Sequence, residues 1–326
     1  MQKGFTRRHA TLAAMALVAA GTLPAGVSAQ ETYPSRNITI IVGFPPGGGV
    51  DVVARLMADK MSALLGKPVV VENRAGASGS LATRQVAAMK PDGYTLLMNS
   101  NSIVANQVIN SKAGHDIERE LTPVMKVAVQ PNILVASPEL GAKTLADVVA
   151  LSKTRELDFG SPGVGSIPHL AAEYLFTLTG AKAKHIPFPG AAQALTAVTG
   201  GHVPLAFVTA PPAVPLVKGD KLRAVVVTSA QRMAALPDVP TVIETGTKDF
   251  VIDTWAGFFV PAGTPKPVLD QLQDAMLKVL AMPDVKARLT DLGFEPAGTR
   301  SEAFGREINA ELSRWKDVAQ KANISL

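Results

Sequence analysis

Cysteine is absent from the 326 residues of this chain, so disulfide bonds, thiol catalysis and cysteine-based metal sites are excluded. Aromatic residues make up only 5% and charged residues 18%, against 47% hydrophobic residues. That balance is typical of globular domains rather than of disordered or collagen-like chains. Long apolar runs are also missing, because no stretch after residue 29 reaches the roughly 18 apolar residues of a membrane span. We therefore expect a soluble mature protein.

The first 29 residues have the composition of a secretory signal peptide. A basic start with Lys3, Arg7 and Arg8 is followed by an apolar run over 10–23, and Val27-Ser28-Ala29 forms a small-residue cleavage site. The adjacent arginines leave the twin-arginine export route open beside the general one. Export of a chain without cysteine suits a bacterial periplasm, which is the predicted location.

Net charge argues against nucleic acid as a partner. The full chain carries a formal charge of +5, and its first 29 residues contain three of the cations and no acid. Removing them leaves the mature chain at +2, with no Lys/Arg cluster. A nearly neutral chain without a basic patch lacks the electrostatic footprint of a nucleic-acid binder.

Strands and helices alternate along the chain, and a length above 300 residues favours two domains. The first lobe begins with predicted strands 37–44, 68–72 and 94–99 and predicted helices 50–65 and 81–89. Strand-like segments at 122–128 and 132–136 follow, and then helix 145–153, where Thr144 as N-cap and Asp147 resemble a capping box. The second lobe repeats the alternation, with strands 157–160, 184–188, 204–208 and 222–229 and helices 169–179, 191–199 and 213–218. Such alternation predicts an α/β fold, in which the N-terminal third forms a parallel sheet.

The C-terminal part predicts a strand at 254–260 and helices 265–281, 285–292 and 301–322, the first with Thr264 as N-cap and Pro265 at N1. Three amphipathic helices need a sheet to cover, and the first lobe lacks helices for two faces. We therefore predict a signal peptide at 1–29, a discontinuous first lobe at 30–127 plus 253–326, and a second lobe at 128–252. The chain would cross between the lobes near 126–131 and 250–254, which makes a two-segment hinge around a central cleft.

A glycine-rich loop, Phe44-Pro45-Pro46-Gly47-Gly48-Gly49-Val50-Asp51, separates the first predicted strand from its helix. Glycines let the backbone approach a ligand, and the first N–H groups of a helix are unpaired and favour an anion. The loop lacks the ending of a Walker motif and the spacing of a dinucleotide fingerprint, which argues against nucleotides. Asp51 has two open roles, as a cap of the helix or as a ligand contact.

A second loop with the same design, Phe159-Gly160-Ser161-Pro162-Gly163-Val164-Gly165-Ser166-Ile167-Pro168-His169, lies in the other predicted lobe. Both loops follow the carboxyl ends of strands, where ligands of open α/β sheets bind. Further neutral polar loops follow other strands, at 77–79, 100–102, 187–191 and 208–211. Backbone amides, hydroxyls and bridging waters can hold a carboxylate without a buried arginine.

Catalytic and metal-binding patterns are weak. There is no G-x-S-x-G or H-E-x-x-H motif, and the histidines after residue 29 lack metal-ligand spacing. Ser166 precedes His169 by three residues, which we interpret as a helix start rather than as a nucleophile and its base. No catalytic residue, metal site or cofactor is predicted.

Seven further motifs follow one another along the chain: Tyr33-Pro34-Ser35-Arg36, the loop Pro46 to Asp51, Val71-Glu72-Asn73-Arg74-Ala75-Gly76-Ala77, Pro91-Asp92-Gly93-Tyr94-Thr95-Leu96, Gly163-Val164-Gly165-Ser166 with His169, Lys221-Leu222-Arg223-Ala224, and Leu236-Pro237-Asp238-Val239-Pro240-Thr241. In this order they resemble the Bug family, the extracytoplasmic receptors of tripartite tricarboxylate transporters. The resemblance implies a type II periplasmic-binding-protein fold that closes around carboxylates. It also implies ligand contacts at Phe44, Gly47, Gly48, Asp51, Ser161, Gly165, Ser166 and His169.

Two departures from the family pattern, at 188–190 and 207–210, lie in loops facing the cleft and suggest a different ligand, such as an aromatic or aliphatic acid. With the loop positions added, the predicted ligand-binding residues are Phe44, Pro46, Gly47, Gly48, Asp51, Ser78, Ser100, Ser161, Gly165, Ser166, His169, Phe188, Ala191 and Thr209. The predicted function is capture of a small carboxylate for the permease subunits of a tripartite transporter. A ligand sensor for a signalling protein and a secreted enzyme acting on an organic acid are the alternatives, and a monomer is expected.

Overall fold

A computed structural model describes residues 33–322, without the side chains of 318–322. The predicted signal peptide lies outside the described residues. Both sheets belong to the unit that begins at Arg36. The strands are β1 Ile38–Val42, β2 Val69–Asn73, β3 Thr95–Ser100, β4 Leu121–Gln130, β5 Asn132–Ala136, β6 Leu157–Ser161, β7 Ala183–Pro187, β8 Leu205–Thr209, β9 Arg223–Val227, β10 Thr254–Pro261 and β11 Glu295–Arg300. The α-helices are α1 Gly49–Leu65, α2 Ser80–Ala87, α3 Ser102–Ile109, α4 Ile117–Glu120, α5 Leu145–Thr154, α6 Ile167–Thr179, α7 Ala191–Thr199, α8 Ala210–Lys218, α9 Lys266–Ala281, α10 Pro283–Asp291 and α11 Ser301–Ala322.

Two mixed sheets organise the described part of the chain. The first has the strand order β11-β4-β10-β3-β1-β2, and the second has the order β7-β6-β8-β5-β9. Strands β1, β2 and β3 pair in parallel, as do β6, β7 and β8. The prediction of parallel pairing is confirmed for these strands, where a helix carries the chain back between neighbours.

The remaining pairs are antiparallel, and their direction was not predicted from the sequence. Strand β10 runs antiparallel to β3 and β4, and β5 runs antiparallel to β8 and β9. The cause is the path of the chain. Strand β4 continues through Pro131 directly into β5 of the other sheet, and β10 returns beside it, with Thr254 opposite Gln130. The assignment of residues to two independently moving lobes stays a prediction.

Of the two N-caps predicted from the sequence, Thr144 and Thr264, the structure confirms the first. The side chain of Thr144 accepts the N–H of Asp147, and the Asp147 side chain bonds back to the Thr144 backbone, so the capping box is confirmed. Thr264 does not cap helix α9. That helix begins at Lys266 after Pro265, and the Thr264 hydroxyl donates to the carbonyl of Pro261 instead. Helices α3 and α4 and strand β11 were not predicted from the sequence.

The C-terminal helices pack on the first sheet. The apolar stripe of α11 is buried in one cluster with residues of β10, and the ring of Phe304 meets that of Trp255 edge-on, with centroids 4.9 Å apart. A Cβ at Gly257 would collide with the Phe304 ring, so only glycine allows this close approach. Across the described residues, no helix has the length and apolar character of a membrane span. Nor does that part of the chain bring together three metal-binding side chains.

Candidate functional site

A cavity lies between the two sheets, where loops after β1, β3, β6, β7 and β8 meet the end of β4 and the start of β10. The centres of water molecules have about 30 Å³ of room in it. Its lining residues are Phe44, Pro45, Pro46, Gly48, Gly49, Val50, Ser100, Ser102, Gln130, Pro162, Ser166, Pro168, Gly190, Ala191, Thr209 and Thr254. None of these carries a formal charge, so the lining offers only hydroxyls, one amide side chain and backbone groups.

Two helices begin at the cavity with glycine as the N-cap. Helix α1 starts after Gly48 and helix α7 after Gly190, and neither has a side-chain cap. The first three N–H groups of a helix have no partner within the helix. At Gly49, Val50 and Ala191 these groups make no hydrogen bond to any residue of the described chain. Each start therefore presents free donors and the positive end of a helix dipole to the cavity.

The second glycine loop differs from this expectation. Ile167 N–H, the first of helix α6, donates to Ser102 Oγ at 3.2 Å, and His169 N–H donates to Ser166 Oγ at 3.3 Å. Pro168 between them has no N–H. The prediction of unpaired helix donors at this loop is thus wrong. Ser102, 65 positions upstream, accepts one of the N–H groups, and the local cap Ser166 accepts the other. In the second sheet, the free donors lie at the start of α7.

Asp51 fastens the first loop rather than lining the cavity. Its carboxylate accepts the N–H of Gly47 at 3.0 Å, the guanidinium of Arg55 and the amide of Asn73 at 2.7 Å. Burial alone would raise the pKa of Asp51, but these hydrogen bonds outweigh it and lower the pKa below its usual value. Asp51 thus has a structural role, although it bonds the N–H of Gly47, which has φ +84°, and does not cap an N–H of the helix.

Most hydroxyls of the lining have already used their hydrogen. Ser100 Oγ donates to Ser102 Oγ at 3.0 Å, and Ser166 Oγ donates to the Gly163 carbonyl at 2.8 Å. Thr254 Oγ1 donates to Asn132 Oδ1 at 2.8 Å. Because each hydroxyl has one hydrogen, these groups can only accept from a ligand.

Gln130 is the polar side chain of the lining with the most unusual environment. It is fully buried at the end of β4, and neither Oε1 nor Nε2 has a hydrogen-bond partner in the described chain. Its amide lies against the start of α1, where a Cβ on residue 49 would overlap Oε1. Buried amides are rarely left unpaired, since the lost hydrogen bonds to water are expensive.

A histidine pair stands behind the second loop. The rings of His169 and His185 stack with centroids 3.9 Å apart. His169 Nδ1 accepts the N–H of Gly165 at 3.2 Å, and Ser161 Oγ is 2.7 Å from His185 Nε2. Burial, together with the neighbouring His185, lowers the pKa of His169 to about 3, and burial lowers that of His185 to about 4. Both rings are therefore neutral at pH 7 and support the loop from its rear.

The predicted residues divide into three groups by position. Half of them line the cavity, namely Phe44, Pro46, Gly48, Ser100, Ser166, Ala191 and Thr209. Phe44 also lines a neighbouring cavity that contains Ser78 and Phe188. Gly47, Asp51, Ser161, Gly165 and His169 line neither cavity. Each of them makes a hydrogen bond to a residue of the two loops, and Gly47 also faces a groove beside Ala192. Gln130 and Thr254, which were not predicted from the sequence, lie where the chain crosses between the sheets.

Three hydrogen bonds join residues of the two sheets beside the cavity. Ser78 Oγ donates to the Val164 carbonyl at 2.6 Å, and Asn106 Nδ2 donates to the Gly165 carbonyl at 2.7 Å. The third is the bond from Ile167 to Ser102. The second glycine loop is thus held against segments of the first sheet, which closes the cavity on this side.

Comparisons with known proteins agree with this architecture. The family described as tripartite tricarboxylate transporter family receptor, TctC, matches residues 53–324. BugT from Bordetella pertussis (strain Tohama I) is 33% identical over 313 residues, which are 95% of this chain and 96% of BugT.

Two solved structures share the fold. That of the periplasmic binding protein BugD superimposes with a TM-score of 0.87 at 30% identity, over 90% of this chain and 99% of BugD. An R. palustris protein solved with adipate gives a TM-score of 0.87 at 32% identity, with the same coverage of both chains. The predicted α/β periplasmic-binding-protein fold is therefore confirmed.

Proposed function

The chain belongs to the tripartite tricarboxylate transporter receptor family, as its Bug-like motifs predicted, and on this premise we propose that it captures a small carboxylate in the cavity between its sheets. The bound acid is then delivered to the membrane permease subunits of a tripartite transporter. The observation that carries the proposal is the pair of uncapped helix starts, at 49–50 and at 191, that open into one cavity.

The chemistry of the lining supports an anion held without a salt bridge. Free backbone N–H groups at a helix start bind carboxylates directly, and each helix dipole contributes roughly half a positive charge. Two such starts balance about one negative charge. The adipate in the R. palustris relative is a carboxylate in a chain of the same fold, which favours this ligand class over uncharged solutes.

Closure of the two sheets around the acid is part of the proposal. We place the hinge where β4 passes into β5 and where the chain returns at 252–254. There Asn132 joins both crossings, because its Nδ2 donates to the Ile252 carbonyl and its Oδ1 accepts from Thr254. The proposed contacts are the seven predicted residues that line the cavity, while Asp51 and His169 position the two loops.

We propose binding without turnover. The Ser166 hydroxyl oxygen accepts the backbone N–H of His169 and does not donate to its ring. The ring nitrogen Nδ1 of His169 accepts the N–H of Gly165 instead. A serine without a base lacks the activation that nucleophilic catalysis needs. We further propose that residues 1–29 direct export to the periplasm and that the receptor acts as a monomer.

The experiment that tests this function is titration calorimetry of the mature protein with a panel of mono-, di- and aromatic carboxylates. At least one acid should bind with Kd below 1 mM, and Gly49→Ala should weaken it at least tenfold, because the added methyl would overlap the amide of Gln130 and force this part of the cavity wall to move. Gly305→Ala, remote from the cavity on α11, is the matched control and should leave Kd unchanged. A panel with no binding below millimolar would contradict the proposal.

A further inference from the structure

The buried amide of Gln130 has no partner in the described chain, and its position indicates what the missing partner is. Both polar atoms are fully enclosed, and the side chain forms part of the cavity wall next to Gly49. A buried amide without hydrogen bonds is costly when the cavity is empty, and a ligand that satisfies it recovers that cost. The unpaired amide of Gln130 therefore points to a bound ligand as its hydrogen-bond partner.

The hydrogen-bond capacity around Gln130 is mixed rather than purely donating. Nε2 offers two hydrogens, while Oε1 accepts. Thr254 lies opposite Gln130 in the sheet, and its hydroxyl has given its hydrogen to Asn132, so it also accepts. A ligand group that fits here must both donate and accept.

An ionised second carboxylate fails this requirement. It can only accept hydrogen bonds, so it would face Oε1 of Gln130 and the lone pairs of Thr254 without a hydrogen between them. No cation of the described chain lines the cavity to offset a second negative charge. The two helix starts already balance about one charge, which the first carboxylate takes.

From these constraints we infer that Gln130 determines specificity, by selecting a monocarboxylate that also carries a hydroxyl or a primary carboxamide. This inference rests on the proposed function, because it assumes that the helix starts hold the carboxylate. It narrows the ligand class from carboxylates in general to hydroxy acids and amide acids.

Two sets of acids with matched carbon chains test the inference. The two-carbon set is acetate and glycolate, and the four-carbon set is butyrate, 4-hydroxybutyrate, succinamate and succinate. Calorimetry should show a preference in at least one of the two sets. In the two-carbon set, glycolate should bind at least about tenfold tighter than acetate. In the four-carbon set, either succinamate or 4-hydroxybutyrate should bind at least about tenfold tighter than both butyrate and succinate. That factor reflects one buried hydrogen-bonding group left unpaired by the wrong ligand.

Gln130→Met keeps the length of the side chain and removes both polar atoms. The variant should fold with equal or higher thermal stability, since an unpaired buried amide is lost, and its preference within each set should fall to less than about threefold. Gln130→Glu retains an acceptor but adds a negative charge, so it should weaken every acid of both sets.

The outcomes separate the two proposals. If wild-type protein binds carboxylates but shows the tenfold preference in neither set, or binds none of the six acids while binding others of the panel, the role of Gln130 is overturned and the receptor function stands. A preference that persists unchanged in folded Gln130→Met also overturns it. If no carboxylate of any kind binds, the proposed function itself fails.

Discussion

The hydroxyl of Ser78 donates a hydrogen bond of 2.6 Å to the backbone carbonyl of Val164, and so connects the loop after β2 with the second glycine loop. Ser78 has φ +49°, which a residue with a side chain rarely adopts. This strained conformation costs free energy and directs the hydroxyl across the cleft. We interpret the contact as a latch for the proposed closure of the two sheets.

Replacing Ser78 by alanine should therefore shorten the residence time of a bound acid. Loss of one neutral hydrogen bond is worth about 1 kcal/mol, which corresponds to a roughly fivefold faster dissociation. Stopped-flow displacement of the tightest-binding acid measures this rate. Ser313→Ala on the exposed face of α11 removes a comparable hydroxyl far from the cleft and should leave the rate unchanged. Equal rates in all three proteins would refute the latch.

Asp51→Asn should destabilise the fold by about 1–3 kcal/mol, because a buried carboxylate loses charge-assisted bonds to Arg55 and to the Gly47 N–H. Urea unfolding of the ligand-free protein measures the change. Asp59→Asn is a suitable comparison, since Asp59 lies on the same helix with its side chain exposed, and it should change stability by less than about 0.5 kcal/mol. If Asp51→Asn were equally neutral, the carboxylate would not be fastening the loop.

Stability should decline on acidification because of the histidine pair. The folded-state pKa values of His169 and His185 lie at about 3 and about 4, below the usual 6.5 of an unfolded chain. Between these limits the unfolded chain binds protons that the folded chain does not, so unfolding becomes easier as pH falls from about 6.5 towards 4. Asp253 acts in the opposite direction, since burial raises its pKa to about 6 and the folded chain takes up its proton first.

The contribution of His169 is isolated by comparing variants. His169→Gln should lose less stability than wild type between pH 7 and pH 4.5. The difference is up to about 1.4 kcal/mol per pH unit, because the unfolded variant no longer takes up the proton that residue 169 binds in the unfolded wild-type chain. His202→Gln, at an exposed position, should keep the wild-type slope. Thermal unfolding at half-unit pH steps provides the measurement, and parallel curves for His169→Gln and wild type would show that this ring is protonated in the folded chain.

The sequence predicted the regular elements well where local signals decide them. The first glycine loop, helix α7 at its observed bounds and the capping box of Thr144 all follow from patterns within a few residues. Strand β11 escaped prediction because its proline and glycine argue against a strand, and it forms only as an irregular edge partner of β4. The antiparallel pairs depend on how the chain crosses between sheets, which no local pattern encodes.

The site was predicted less completely, since its chemistry depends on residues far apart in sequence. Asp51 is drawn away from the cavity by Asn73, 22 positions later. The N–H of Ile167, the first donor of helix α6, is taken by Ser102, a residue in a helix that was not predicted. In the sequence, Gln130 is indistinguishable from other polar residues that end a strand. Its importance becomes visible only when the burial and the missing partners of its amide are known.

A crystal structure of the complex with the tightest-binding monocarboxylate tests the central claim most directly. We predict that one carboxylate oxygen lies about 3 Å from the N–H groups of Gly49 and Val50, that the carboxylate also meets the N–H of Ala191, and that no lysine or arginine contacts it. A carboxylate held by basic side chains outside the cavity, with both helix starts unoccupied, would contradict the claim.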